Sequence, residues 1–123
     1  MRLREQIVAL TAVLSAGVPA MAESRCGWLD NPTPANYWLT DADGAWTLMV
    51  QGGAIENGFI DLPAEQFDFA DEWEYRNVGS YGFGCACIEG DFGPVGSGEV
   101  VQVREMRPLP LAKCRADPAL PER

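Results

Sequence analysis

Apolar and polar positions alternate most regularly at Trp46, Leu48 and Val50, with Thr47, Met49 and Gln51 in the opposite phase. A two-residue period sends successive side chains to opposite faces of a strand, so this stretch predicts a half-buried β-strand. Asp43-Gly44 just ahead is a turn dipeptide, and Tyr37-Trp38-Leu39 before it is the expected hairpin partner. Gly52-Gly53 ends the strand. Upstream, residues 23–45 read as ordered turns, rich in Pro, Asn and Asp but studded with aromatic rings that a disordered segment would lack. Downstream, Phe67-Asp68-Phe69 alternates briefly, and Asp61 is placed to cap a short helix beginning near Pro63. Residues 56–74 are therefore expected as loop with one helical turn. Trp73 and Tyr75 alternate again, and a turn at Asn77-Val78-Gly79 would set them across from Tyr81 and Phe83.

The run Tyr81-Gly-Phe-Gly-Cys-Ala-Cys-Ile88 predicts the organising strand. Its period puts Tyr81, Phe83, Cys85 and Cys87 on one face and Gly82, Gly84, Ala86 and Ile88 on the other. A Cys85–Cys87 bridge would close a small strained ring, so each sulfur needs a partner elsewhere. Cys26 and Cys114 are the remaining cysteines. Two connectivities stay open: Cys26–Cys85 with Cys87–Cys114, or Cys26–Cys87 with Cys85–Cys114. Residues 100–106 form the last clear strand. Val101 and Val103 suggest its inward face, and the break of phase at Glu105 and Arg107 predicts a bulge or a strand end near Arg104. Pro108 and Pro110 make the next stretch an edge or an extended arm, along which Leu109 and Leu111 pack and deliver Cys114 to the core. The tail from Asp117 reads as loose. Short strands punctuated by Gly and Pro predict one small all-β domain, a disulfide-stapled barrel or sandwich with long loops and one short helical turn.

The N-terminus changes the picture by supplying a compartment. Arg2 and Arg4 precede the uncharged apolar run 7–18, and Ala20-Met21-Ala22 places small residues where a signal peptidase reads. Residues 1–22 are expected to be a signal peptide, leaving residues 23–123 as a single exported domain, periplasmic or secreted. The apolar run falls short of the roughly 20 residues needed to span a bilayer, so no membrane insertion is expected after cleavage. In an oxidising compartment an even cysteine count in a short chain reads as disulfides. Loss of the leader, with Arg2, Arg4 and Glu5, moves the net charge from −9 to −10. Lys113 and six scattered arginines then remain, which excludes the clustered basic surface that nucleic acid requires and favours a cationic partner.

The chain has no histidine, which rules out histidine-based triads, Cys-His nucleophiles and His-ligated zinc within it. Cys-x-Cys with two distant single cysteines also lacks the paired spacing of thiolate zinc sites, and no metal or other cofactor is expected. A thiol redox role for Cys85 and Cys87 is the second of two alternatives, set against neighbours that are apolar or, at Glu89, acidic rather than electropositive. Asp68, Asp71, Glu72 and Glu74 provide carboxylates for the first alternative, an envelope hydrolase. Asp41-x-Asp43-Gly44 is only a fragment of a calcium loop and is read more simply as the hairpin turn. The best candidate recognition surface is the cluster of Trp28, Asn31, Asn36, Tyr37 and Trp38, since rings flanked by amides suit sugars or a protein hot spot. These features point to a non-enzymatic binding or interaction module for a cationic protein or an envelope glycan.

Several short motifs carry a family resemblance: Arg25-Cys-Gly-Trp28, Asn31-Pro-Thr-Pro34, Trp38-Leu39, Asp43-Gly44-x-Trp46, Gln51-Gly-Gly53, the run from Tyr81 to Cys87, and Leu109-Pro-Leu-x-x-Cys-Arg115. Together they resemble a family of small exported bacterial proteins catalogued as domain of unknown function 4087. The resemblance spans nearly all of residues 23–123 and is weakest over residues 56–74. It implies no activity and assigns no catalytic residue.

Overall fold

The computed structural model describes residues 19–53, 55–76 and 79–123. Six strands form one antiparallel sheet: β1 (Met21–Asn31), β2 (Tyr37–Asp41), β3 (Gly44–Met49), β4 (Trp73–Tyr75), β5 (Gly82–Phe92) and β6 (Val100–Leu109). The order is β3-β2-β1-β5, and β4 and β6 follow one another along the far side of β5, β4 on Gly82 to Gly84 and β6 on Cys85 to Phe92. Two 3-10 turns, Phe59–Asp61 and Ala64–Phe67, and one short helix, α1 (Leu111–Arg115), complete the described elements.

The sheet curls until its two outer strands approach, yet it is not closed. Thr47 N–H donates to Gly98 O at 2.9 Å, making a lone bridge beside Glu99. Beyond that bridge Asn57, 3% exposed, fills the seam. Its amide donates to Leu48 O on β3 and Val100 O on β6, its side-chain oxygen accepts Phe59 N–H, and its backbone oxygen accepts Val103 N–H. One polar residue thus satisfies edge groups that would otherwise be buried without partners.

Both faces of the central strands are covered. Inside the curl lie Leu29, Leu39, Trp46, Leu48, Phe59, Phe69, Ala86, Ile88, Phe92, Val100, Val103 and Met106. On the opposite face Trp28, Phe83, Cys85, Leu111, Cys114 and Leu120 form a second cluster beneath α1 and the tail. A strand buried on both sides loses its polar alternation. That is why β1 escapes a pattern-based reading: Trp28 and Leu29 are adjacent, point to opposite faces and are both buried, so residues 23–31 are a strand and not the expected turns.

The hairpin β2–β3 forms as expected, with Asp41 opposite Gly44. The organising strand is β5, with Cys85 and Cys87 on one face and Ala86 and Ile88 on the other. Trp73 and Tyr75 do not face Phe83 and Tyr81; they lie opposite Gly84 and Gly82. Gly84 leaves room for rings, since a Cβ there would come within 2.7 Å of Phe69 and 2.8 Å of Trp73. A bulge occurs at Arg104, as the break of phase predicts, and a second at Val101 turns that side chain outward, 44% exposed. Val103 is inward as expected, and Val100 and Met106 join it in place of Val101. Pro63, not Asp61, precedes the second 3-10 turn, which has no side-chain cap. Beyond Pro110 the chain is helical as α1 rather than an extended arm, and it still carries Leu111 and Cys114 into the core.

Most of the expected leader, and the turn at residues 77 and 78, lie outside the described residues. Met21 and Ala22 are the first residues of β1, opposite Phe92 and Asp91. The tail is not loose: Leu120 is buried, Pro121 O accepts the Trp28 indole N–H at 2.8 Å, and Arg123 pairs with Asp30 at 2.9 Å.

Candidate functional site

The four cysteines resolve into Cys26–Cys87 and Cys85–Cys114, one of the two open connectivities. Cys26 and Cys87 are direct cross-strand partners on β1 and β5, and Cys114 reaches Cys85 from α1. No cysteine is free, so no Cys85–Cys87 dithiol exists in the folded protein.

Arg25 explains the first residue of the Arg-Cys-Gly-Trp motif. Its guanidinium lies 4.3 Å from the Trp46 ring centre and 5.4 Å from that of Phe92, and pairs with Glu23 at 2.8 Å, Asp41 at 3.0 Å and Asp43 at 2.8 Å. Burial acts to lower the Arg25 pKa, but hydrogen bonds to Asp43 and Asp41 and the charges of Asp41 and Glu23 outweigh it, and the pKa is raised above its ordinary value. Asp41 also accepts the Asp43 backbone N–H and the Trp46 indole N–H. Its oxygens are committed to the hairpin turn, in keeping with the simpler reading of Asp41-x-Asp43-Gly44. Gly27, two residues on, lies so close to β2 that a Cβ would collide with Thr40 O.

The five residues expected to form one recognition surface do not. Trp28 is fully buried, edge-on to Phe83 with ring centres 5.1 Å apart. Asn31 is buried and donates to Thr33 O and Asn36 O, holding the β1–β2 turn. Asn36 closes the same turn through Thr33 Oγ1 and accepts the Gln51 N–H. Trp38 sits on the disulfide face, in a groove of about 490 Å³ with Asp30, Arg76 and Arg123. Tyr37 points the other way, because neighbours on a strand face opposite sides.

Tyr37 instead joins a pocket on the inner face. A cavity of about 290 Å³ is lined by the rings of Tyr37, Phe67, Phe69, Trp73 and Tyr75, with Leu29, Asn31, Asp68, Ala70 and Ser80. The rings are held from behind. Tyr37 and Phe67 are 6.4 Å apart, Phe59 lies 5.1 Å from Tyr37 and 5.3 Å from Phe67, and Phe69 and Trp73 are 5.1 Å apart. Trp73 donates its indole N–H to Ser80 O at 3.0 Å, which fixes its ring, while Tyr75 is 61% exposed. Burial, and secondarily Tyr81, raises the Tyr37 pKa, so its phenol stays neutral at ordinary pH. Sequence reasoning located Tyr37 but missed the other four rings. Their alternation was visible, yet nothing in it brings residues 67–75 to Tyr37.

The acidic segment partly closes the fold. Glu72 accepts Leu111 N–H at 2.6 Å, Glu74 pairs with Arg115 at 3.1 Å, and Asp68 accepts Ala70 N–H at 2.9 Å. Gln66 within it accepts Met106 N–H at 2.8 Å.

A family model described as protein of unknown function (DUF4087) matches residues 20–121. The chain belongs to this family. No curated protein and no solved structure matches it. Every motif of the resemblance falls within the matched residues, and the structure gives several of them a role: Arg25 and Gly27 join β1 to the hairpin, Trp28 lies beneath the tail, and Cys85, Cys87 and Cys114 tie β5 to β1 and α1. These roles are structural. Two disulfides fit an oxidising compartment, and among the described residues no helix is long and apolar enough to cross a membrane.

Proposed function

We propose that this DUF4087 protein is an exported, non-enzymatic binding module, processed after Ala22, whose ligand enters the aromatic pocket of Tyr37, Phe67, Phe69, Trp73 and Tyr75. The observation that carries the reading is the pocket itself: five rings around about 290 Å³, near the lower end of the roughly 300–1,000 Å³ typical of small-molecule sites. The rings are braced by their neighbours and by the Trp73–Ser80 hydrogen bond, so little ordering is required on binding. Against a carboxylate hydrolase stands the lining, which among the described residues offers one carboxylate, Asp68, where that chemistry needs two across one substrate. Against thiol redox stands the pairing of all four cysteines as staples.

The test is a titration of the protein, isolated from the exported fraction, with solubilised envelope glycan fragments and with a lysine-rich peptide. It is followed by amide and indole NMR shifts and by mass spectrometry of the added compound. The expected result is shifts centred on Trp73 and Tyr75 with the compound unchanged. Conversion of the compound that ends in the Asp68→Asn variant, or shifts confined to the Trp38 groove, would overturn the reading.

A further inference from the structure

We infer that the pocket takes an organic cation, an alkylated ammonium head group, and binds it as an aromatic cage. The inference rests on the proposed binding function and names the ligand class for the same pocket.

Three observations lead there. The lining is dominated by rings whose faces carry negative quadrupole charge, and such cages recognise quaternary ammonium groups. Among the described lining residues Asp68 is the one carboxylate and none is lysine or arginine, so an anion finds no counter-charge from them. Arg76, the basic residue just after β4, is turned to the other face and stacks 5.1 Å from the Phe83 ring centre. The chain as a whole carries −9, which raises the local concentration of cations.

A glycan fits the same lining less well. Sugars are oriented by several hydrogen bonds to their hydroxyls, and the amide and indole donors of this lining are already committed. Asn31 spends its amide donors on Thr33 O and Asn36 O, Ser80 O holds the Trp73 indole, and one Asp68 oxygen holds Ala70 N–H. An alkylated ammonium asks for no such bonds. It needs ring faces, a nearby carboxylate and exclusion of water, and a tetrahedral head group of this kind is small beside the cavity.

The experiment compares three probes on the oxidised, full-length mature protein by calorimetry and by the Trp73 indole NMR signal: choline, its uncharged isostere 3,3-dimethylbutan-1-ol, and a trimer of N-acetylglucosamine. Choline is expected to bind at least tenfold more tightly than the isostere. Trp73→Ala should lose that binding and Trp73→Phe retain part of it. Asp68→Asn should weaken choline several-fold without affecting the isostere. Tyr75→Ala, at an exposed position, keeps the test independent of folding, and should weaken choline while leaving the unfolding midpoint unchanged. Equal binding of choline and isostere, or binding of the sugar without choline, overturns the cation while leaving the binding module standing. No binding of any probe, with no shift from the envelope glycan fragments or the lysine-rich peptide, overturns both.

Discussion

Removing one disulfide at a time measures how much of this small domain's stability is held in its staples. The Cys26–Cys87 bridge spans 61 residues and Cys85–Cys114 spans 29. Loop-closure entropy assigns ~4.3 kcal/mol to the longer loop and ~3.6 kcal/mol to the shorter one. The loops share only residues 85–87, so neither bridge closes the other's loop and the two effects come close to adding. Their combined size is comparable to the net stability of an ordinary domain, about 5–15 kcal/mol. In Cys85→Ala/Cys114→Ala the helix and tail still have the Glu72–Leu111 and Trp28–Pro121 hydrogen bonds and the buried Leu111 and Leu120, so the fold should survive. Urea unfolding followed by tryptophan fluorescence should then show a loss of about 3–4 kcal/mol for that pair and about 4–5 kcal/mol for Cys26→Ala/Cys87→Ala, with similar denaturant slopes. Reduction of both bridges should leave the chain largely unfolded. If either double variant lost less than about 1 kcal/mol, or the reduced protein kept its oxidised stability, the loop-entropy account would be refuted.

Two further outcomes follow from the charged pairs. Arg25→Met keeps the contact with the Trp46 ring but strips Asp41, 8% exposed, of its cation, and should destabilise by about 2 kcal/mol in the same unfolding assay; an unchanged midpoint would show that the hairpin turn does not depend on this pair. On the surface, Glu105 lies opposite Glu89, whose hydrogen bond and charge raise its pKa above the ordinary 4.5, while a hydrogen bond from Arg104 lowers that of Asp91 below 3.8. The folded state therefore holds the Glu105 proton more tightly than the unfolded chain, and this contribution is present below the ordinary value and lost as pH rises through the raised one. The Asp91 contribution has the opposite sense, present above its ordinary value and lost as pH falls through the lowered one. Carboxyl NMR titration should place the two midpoints on those sides, and Glu89→Gln should return Glu105 toward 4.5; an unmoved midpoint would remove the cross-strand pair as the cause.

Local pattern and elementary covalent geometry determined a good part of this protein. The hairpin around Asp43-Gly44 and the one-faced cysteines of β5 were legible because one turn dipeptide and one two-residue period settle them. The bulge near Arg104 was legible as a break in that period. The disulfide pairs were narrowed to two choices by the shortness of Cys85-Ala86-Cys87, and the DUF4087 resemblance by motifs that the family model also covers.

What tertiary structure alone decided has a common physical reason: burial on both faces and contact across distant segments leave no periodic trace. β1 was hidden because α1 and the tail cover the face that would otherwise be polar, and the same cover converts Trp28 from a recognition residue into core. Asn57 looks like any loop asparagine until the curl of the sheet brings β3 and β6 to either side of it. Disulfide register was fixed only when β1 and β5 paired with Cys26 opposite Cys87. The pocket is the clearest case. Tyr37 and Trp38 are neighbours in sequence and lie on opposite faces of the sheet, whereas Tyr37 and Phe67 are thirty positions apart and lie 6.4 Å apart in space. A sequence records which rings are present; only the folded path of the chain decides which of them share a cavity.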